Sequence, residues 1–396
     1  MAKTRKIIND PVFGFLSIPD GVLFKILQHP YLQRLNRIRQ LGLSFFVYPG
    51  AMHSRFLHSL GAMHLMREAI NSLREKGVEI NDSETTASMA AILLHDVGHG
   101  PFSHVMEHTL VEGITHEEIS LMMMEKMLNE LPPQDADLLN LAISIFKDEY
   151  HKHFLHQLIS SQLDVDRLDY LCRDSFFCGV TEGSVASARI LKMMNVTNDG
   201  HLVVEAKGIY SVEKFLVARR LMYWQVYLHH TSVAAEQLLI KILERAKALA
   251  KQKVELFCSP ALHYFLYNNV TTDIFIQNTN ALNQYAMLDD ADILSAIKVW
   301  IGCEDKVLSS LCQCFTNRTL FKGKLLNQPL SAEQIDELSN LYAERLGISK
   351  EDAHYFFIEH VSTSNTYSEK GEAIGILYKD GIVKDIAEAS DMLNME

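Results

Sequence analysis

Four side chains of metal-ligand type, His58, the adjacent pair His95-Asp96, and Asp166, stand in short polar frames within otherwise apolar stretches. The frames are Arg55-Phe56-Leu57-His58, His95-Asp96-Val97-Gly98-His99-Gly100 and Asp164-Val165-Asp166-Arg167-Leu168-Asp169-Tyr170. Imidazole and carboxylate together suit Zn, Fe, Mn or Ni, and geometry rather than raw affinity decides among them. A lone His-Asp pair is more often a capping carboxylate beside a half-buried imidazole. Here the same region also supplies His99, His104 and His116, side chains able to exchange protons near neutral pH. Glu107 follows His104 by three residues, so on a helix it shares a face with it and can orient it. His108 reads as surface, and His151, His153 and His156 as a solvated face.

The segment 162–174 holds four Asp, two Arg and one Tyr. On a helix Asp166, Asp169, Tyr170 and Arg173 share one face. Leu163, Val165, Leu168 and Leu171 interleave with them, so the charged face is expected to be partly buried. Burying it without ions or anions is costly; a metal on Asp166 and a phosphate on Arg167 offset that cost.

Several elements must position these groups. Alternation around Pro11 and Gly14 predicts a strand or hairpin at Lys6–Ile18. Apolar residues at three- and four-residue spacing predict helices over 20–42, interrupted at Pro30. Further helices are predicted over 58–73, 83–95 (capped by Asp82 or Ser83), 103–111, 115–131 and 154–170. Gly98 and Gly100 end the helix at His95-Asp96 and are expected to admit a close anion. Asp199-Gly200 between β-prone runs predicts a hairpin over 194–204. A long helix is predicted over 211–252, then helical patches to residue 311. Ser331 and Gln334 predict a capped helix to Gly347, followed by strands at 355–360 and 374–386. The fold expected is mainly α, a helical core with short β-hairpins and a smaller α+β C-terminal portion. The expected division is a catalytic core over 1–250 with its metal motifs in 50–180, a helical extension over 251–315, and an α+β region over 316–396 acting as interface or regulatory lobe.

Bulk properties narrow the class. The chain has 396 residues, 48% hydrophobic and 22% charged, the proportions of a folded globular protein rather than a disordered one. A formal net charge of −12 argues against nucleic acid as a partner. The six cysteines form no C-x-x-C pair and there is no apolar leader, so reduced thiols and a cytoplasmic location are expected. Cys312-Gln313-Cys314 is at most a minor metal candidate. No apolar run reaches membrane-spanning length.

Taken together the frames resemble the HD-domain superfamily of metal-dependent phosphohydrolases. They are similar in particular to the deoxynucleoside triphosphate triphosphohydrolases, including the eukaryotic enzymes that join a SAM domain to an HD domain. Further strings that carry the likeness are Ile8-Asn9-Asp10-Pro11, Arg39-Gln40-Leu41-Gly42, Tyr48-Pro49-Gly50-Ala51, Gly98-His99-Gly100-Pro101-Phe102-Ser103-His104 and Thr115-His116-Glu117. The resemblance implies an HD-domain helical core with one divalent or transition metal (Mn, Fe, Zn, Ni or Mg) on His58, His95, Asp96 and Asp166, and allows a second Mg with the substrate phosphates. It implies a dNTP substrate, hydrolysed at the α-phosphate to deoxynucleoside and triphosphate. His104, supported by Glu107, matches the proton donor to the leaving oxygen, and His99 and His116 match residues around the α-phosphate. Arg55, Arg167, Tyr170 and Arg219 match phosphate contacts; Gln40, Leu41, Asp174 and Tyr227 match contacts to sugar and base. A homo-oligomer, dimer or tetramer, is expected. Gln28 and Asn36 stand where the family's guanine-reading activator site carries an Asp and an Arg, whereas Asn9 matches; a nucleotide effector would then act through other residues. Two alternatives stay open: hydrolysis of another nucleotide or phosphoester, and a non-catalytic nucleotide-sensing HD protein.

Overall fold

The computed structural model describes residues 6–102, 105–106, 109–111, 113–323, 328–359 and 373–392. The chain opens with the hairpin β1 (Lys6–Asp10) and β2 (Gly14–Ile18), paired antiparallel as the Pro-Gly alternation predicts. The short helices α1 (Val22–Gln28) and α2 (Pro30–Arg34) follow, with Pro30 at the first helical position. The expected continuation to residue 42 does not form. A 3-10 turn over Leu35–Arg37 ends at an extended Ile38, and Arg39 pairs with Ser54 as an isolated bridge. That kink brings Gln40 N to the His53 carbonyl (3.0 Å), just ahead of the next helix.

The layer that carries His58, His95, Asp96 and Asp166 consists of three helices: α3 (Arg55–Glu75), α4 (Asp82–Leu94) and, later, α8 (Val165–Cys178). α3 packs against both others. Its Leu60, Met63, Met66, Ile70 and Leu73 are all buried, the face expected from their spacing. The N-cap of α4 is Asn81, not Asp82 or Ser83, because its side chain accepts from Glu84 N (2.8 Å) while Glu84 returns a bond to Asn81 N (2.8 Å). The same reciprocal cap, Thr115 with Glu118, opens α5 (His116–Leu128).

Between these lie α6 (Pro133–Phe146), which the sequence pattern did not suggest and which packs extensively on α4, and the single turn α7 (His153–Gln157). The expected helix over 154–170 is broken: Ser161–Asp164 is non-helical and Asp164 caps α8 by accepting from Arg167 N (2.8 Å). The helix α9 (Ser187–Met193) leads to the hairpin β3 (Met194–Val196) and β4 (Leu202–Glu205), turned at Asp199-Gly200.

The long helix expected over 211–252 is two: α10 (Ile209–Met222) and α11 (His230–Lys251), separated by a π turn over Tyr223–Tyr227 and an extended His229. A π turn carries one extra residue per turn, so it rotates the following side chains. Then come α12 (Pro260–Tyr267), α13 (Thr272–Gln277), α14 (Thr279–Met287), α15 (Asp290–Trp300), α16 (Lys306–Thr316) and α17 (Ala332–Leu346). Ser331 caps α17 with Gln334, and Gly347 ends it in the left-handed region.

Residues Tyr355–Glu359 are not a strand; Tyr355 closes a 3-10 turn over Glu351–Tyr355, and His360 lies outside the described residues. The last hairpin, β5 (Gly375–Leu377) and β6 (Val383–Asp385), does form, and α18 (Ile386–Ala389) follows it. β5 pairs in parallel with β4, so one four-stranded sheet of order β3-β4-β5-β6 joins the C-terminal region to the middle of the chain. The fold is mainly α-helical with small β elements. No helix among the described residues is long and apolar enough to cross a membrane.

Candidate metal centre and active site

His58 and Asp166 arrive from the first turns of α3 and α8, and His95 and Asp96 from the C-terminal end of α4. Because α3 packs on both other helices, the three ends converge. His58 Nε2 lies 3.0 Å from Asp166 Oδ1 and 3.3 Å from His95 Nε2, which lies 3.3 Å from the same Asp166 oxygen. Ligand–ligand edges of roughly 3.0–3.4 Å follow from bonds of about 2.1 Å to one ion at tetrahedral or octahedral angles. The donor set therefore fits a single divalent metal ion, which is the cofactor this cluster can hold.

Each imidazole is fixed through its other nitrogen. His58 Nδ1 donates to Asp169 Oδ2 (2.7 Å), and His95 Nδ1 donates to the Ile92 carbonyl (2.7 Å). Both tautomers then leave the Nε2 lone pair facing the cluster. Burial disfavours a charged His58, but Asp166 and Asp169 outweigh it and lift the imidazole to about 10. Burial likewise opposes charge on His95, which Asp96 and Asp166 raise. Burial works against the Asp166 carboxylate too, and His58 and His95 hold it below the usual range. A proton and a metal compete for the same lone pairs.

Asp96 stands slightly apart. Its Oδ1 is 3.4 Å from His95 Nε2 and 3.1 Å from His99 Nε2, while its Oδ2 accepts from Arg55 Nη1 (2.7 Å) and is 3.8 Å from His58 Nε2. In this geometry His58, His95 and Asp166 form the cluster and Asp96 borders it. His99 stacks on His116 with ring centroids 3.9 Å apart. Burial and the charge of Arg55 push His99 down to about 3, leaving it neutral. His104 and Glu107, and the surface candidate His108, lie outside the described residues.

The glycines serve a close approach within the protein. A Cβ on Gly98 would strike the backbone of His116 and Ser120, and one on Gly100 would lie 2.7 Å from Tyr285 Oη. They let α5 and Tyr285 pack onto the turn.

A continuous wall leads away from the cluster. The rings of His58 and Tyr170 are 6.5 Å apart, and those of Tyr170 and Tyr227 6.1 Å. Tyr227 Oη donates to Asp174 Oδ2 (2.8 Å), and Asp174 Oδ1 pairs with His53 Nε2 (2.8 Å). The His53 carbonyl accepts from Gln40 N (3.0 Å), and Leu41 follows. Burial, with the neighbouring Asp174, holds the Tyr227 phenol well above its ordinary value, so it stays a donor. Arg167 spends Nη1 on Asp164. Arg55 Nε, Arg167 Nε, Arg219 Nη1 and Gln40 Oε1 are buried without hydrogen-bond partners among the described residues. Three orphan guanidinium nitrogens are a large desolvation debt unless an anion visits.

Sequence reasoning missed Asp10, His53 and the role of Arg173. Arg173 lies four residues after Asp169 on the charged face of α8, a spacing that could have marked the pair; His53 carried no signal, since its partner Asp174 is 121 residues away.

A helical shell, a His/His/Asp cluster at converging helix ends and a cationic border define a metal-dependent phosphohydrolase of the HD class. Residues 55–174 match the HD domain model and residues 185–259 the HD-associated region. The chain is similar to the solved structure of a phosphohydrolase from Bacteroides thetaiotaomicron (TM-score 0.94, 58% identity, 99% of this chain and 96% of that one). It is 33% identical to the Bacillus subtilis protein YwfO over 98% of this chain and 88% of that protein. It is 30% identical to the human deoxynucleoside triphosphate triphosphohydrolase SAMHD1, over 57% of this chain and 42% of that protein. The chain belongs to the HD-domain phosphohydrolase family and is an enzyme of that class.

Proposed function

We propose that the substrate is a nucleotide, and specifically a deoxynucleoside triphosphate cleaved at the α-phosphate to deoxynucleoside and triphosphate. The observation that carries this reading is the set of orphan nitrogens on Arg55, Arg167 and Arg219, beside a wall of Tyr170, Tyr227, Asp174 and Gln40. Planar guanidinium forks suit phosphate oxygens, and a tyrosine held by a carboxylate suits a sugar edge. His58, His95 and Asp166, with Asp96 beside them, would hold a divalent ion, which when bound would supply an activated water and polarise the phosphoryl group. Around it Arg55, Arg167 and Arg219 orient the phosphates, and His99 and His116 border the α-phosphate. His104, with Glu107, protonates the leaving oxygen in this scheme, a contribution of about 10²–10⁴-fold.

A second reading, hydrolysis of another nucleotide or phosphoester, is favoured by one observation: the likeness to named dNTP hydrolases covers little more than half of the chain. Incubating the purified chain and Mn(II) with each dNTP, each NTP and a simple phosphomonoester, then identifying the products, separates the two. Inorganic triphosphate from dNTPs supports the first reading; orthophosphate or pyrophosphate, or turnover of the monoester alone, replaces it with the second. Chelation should abolish turnover in either case, and added Mn(II) should restore it.

A further inference from the structure

We infer that Asp10 and Arg173 are positioning residues for the metal ligand His58, so that the N-terminal hairpin is mechanically part of the metal centre. The links are short and fully buried. His58 Nδ1 donates to Asp169 Oδ2 at 2.7 Å. Arg173 grips both oxygens of Asp169, Nε to Oδ2 and Nη2 to Oδ1, each at 2.9 Å. Its remaining nitrogen, Nη1, donates to Asp10 Oδ2 at 2.7 Å. Asp10 Oδ1 in turn accepts from Val12 N (2.9 Å) and Phe13 N (2.8 Å), which closes the turn between β1 and β2. The Phe13 ring lies 5.7 Å from the Arg173 guanidinium carbon and covers it.

The residues run from the hairpin to the ligand without a gap, and Asp10, His58, Asp169 and Arg173 are all buried. Space for the crossing is cut into α3 at Gly61, where a Cβ would sit 2.9 Å from Asp169 Cγ and closer still to the atoms of the fork. A forked guanidinium fixes the plane of the carboxylate it grips. The plane of Asp169 sets the direction from which it accepts the His58 N–H, and hence the direction of the ligating Nε2. Asp10 fixes the fork in turn. Residues 6–18 lie wholly outside the HD domain match at 55–174, yet they end this chain of bonds.

The ordinary alternative is an ion pair that only fastens the hairpin to α8. Metal affinity distinguishes the two, and it does not depend on which phosphoester is hydrolysed. Asp10→Asn keeps one oxygen for the turn but turns an amide toward Arg173; Arg173→Lys keeps the charge and loses the fork. Competition between each purified variant and a chromogenic chelator for Mn(II), repeated with Co(II), reads the affinity, with circular dichroism reporting the fold. Each folded variant is expected to bind Mn(II) about 10–100-fold more weakly. Glu84→Gln, which weakens an equally buried carboxylate network with Tyr150 and Lys152 away from the cluster, is expected to keep the parent affinity. Unchanged Mn(II) affinity in a folded Asp10→Asn or Arg173→Lys protein overturns the inference. An equal loss in Glu84→Gln overturns it as well, because the effect would then be general destabilisation.

Discussion

Asp174 serves two partners at once, His53 on one oxygen and Tyr227 on the other, so neither oxygen is left without a donor. Taking the Tyr227 hydroxyl away leaves Oδ2 buried and short of one bond, at a cost of about 1–3 kcal/mol. A ribonucleotide brings a 2′-hydroxyl that can supply the missing donor; a deoxyribonucleotide does not. Under the proposed function, Tyr227→Phe should therefore raise kcat/KM for NTPs relative to dNTPs by roughly tenfold. Steady-state kinetics on matched dNTP and NTP pairs measure the ratio, and an unaltered ratio would remove Tyr227 from the sugar site. At this scale the sequence was most readable where ligands sit in compact motifs. His58, His95 and Asp166 converge as expected, because each ends or begins a helix whose apolar face is plain. The residues that hold them were less visible. Asp10 is 163 positions from Arg173, and a contact across that distance leaves no local pattern.

Helices with reciprocal caps were legible to within a residue or two, since Ser331 and Gln334 announce both the start and its chemistry. The breaks were not. Residues 154–170 and 211–252 keep helical spacing through Ser161–Asp164 and the π turn at Tyr223–Tyr227, because spacing alone does not record a local change of winding. The parallel pairing of β4 with β5 was equally hidden, being a contact between hairpins that each looked self-contained. α11 carries an element-scale liability that can be tested. Glu236 is half-buried within it, and burial lifts its carboxyl to about 7. In the unfolded chain the group loses its proton near its ordinary value of 4.5, while the folded chain keeps it until about 7. Stability therefore falls as pH rises through that window, and the cost is complete above it. Glu236→Gln should stabilise the protein by roughly 1–3 kcal/mol at pH 8 and by little at pH 4.5. Thermal denaturation of both proteins across this range reads the difference; a constant offset between the two curves would show that Glu236 is solvated in the folded chain.

On the scale of the whole molecule, the centre depends on segments far from the HD match. Asp289 and Asp290, at the start of α15, pair with Arg37 and Arg39 and so hold the extended stretch that presents Gln40. Arg34 is buried, donating Nε to the Leu288 carbonyl (3.0 Å) and Nη1 to the Val97 carbonyl (3.1 Å), with its guanidinium carbon 5.1 Å from the Tyr285 ring. Tyr285 Oη completes the brace by donating to the Gly98 carbonyl at 2.9 Å. Two successive carbonyls of the turn after His95-Asp96 are thus held by residues 34 and 285, and Ser120 holds the turn from the other side by accepting from Gly98 N (2.9 Å) and donating to the His95 carbonyl (2.9 Å). The turn is short and glycine-bearing, so its shape is imposed by these partners rather than by its own backbone preferences. Tyr285→Phe keeps the ring against Arg34 and removes the hydroxyl, with its bond to the Gly98 carbonyl, which should cost about 1–3 kcal/mol. Tyr285→Leu also removes the cation–π contact with a desolvated guanidinium and the ring contacts with Phe265 and Phe275, and should cost at least about 2 kcal/mol more. Thermal and denaturant unfolding of the two variants beside the parent measure both steps. Equal stability of Tyr285→Phe and the parent would mean that the turn keeps its shape without the Tyr285 hydroxyl.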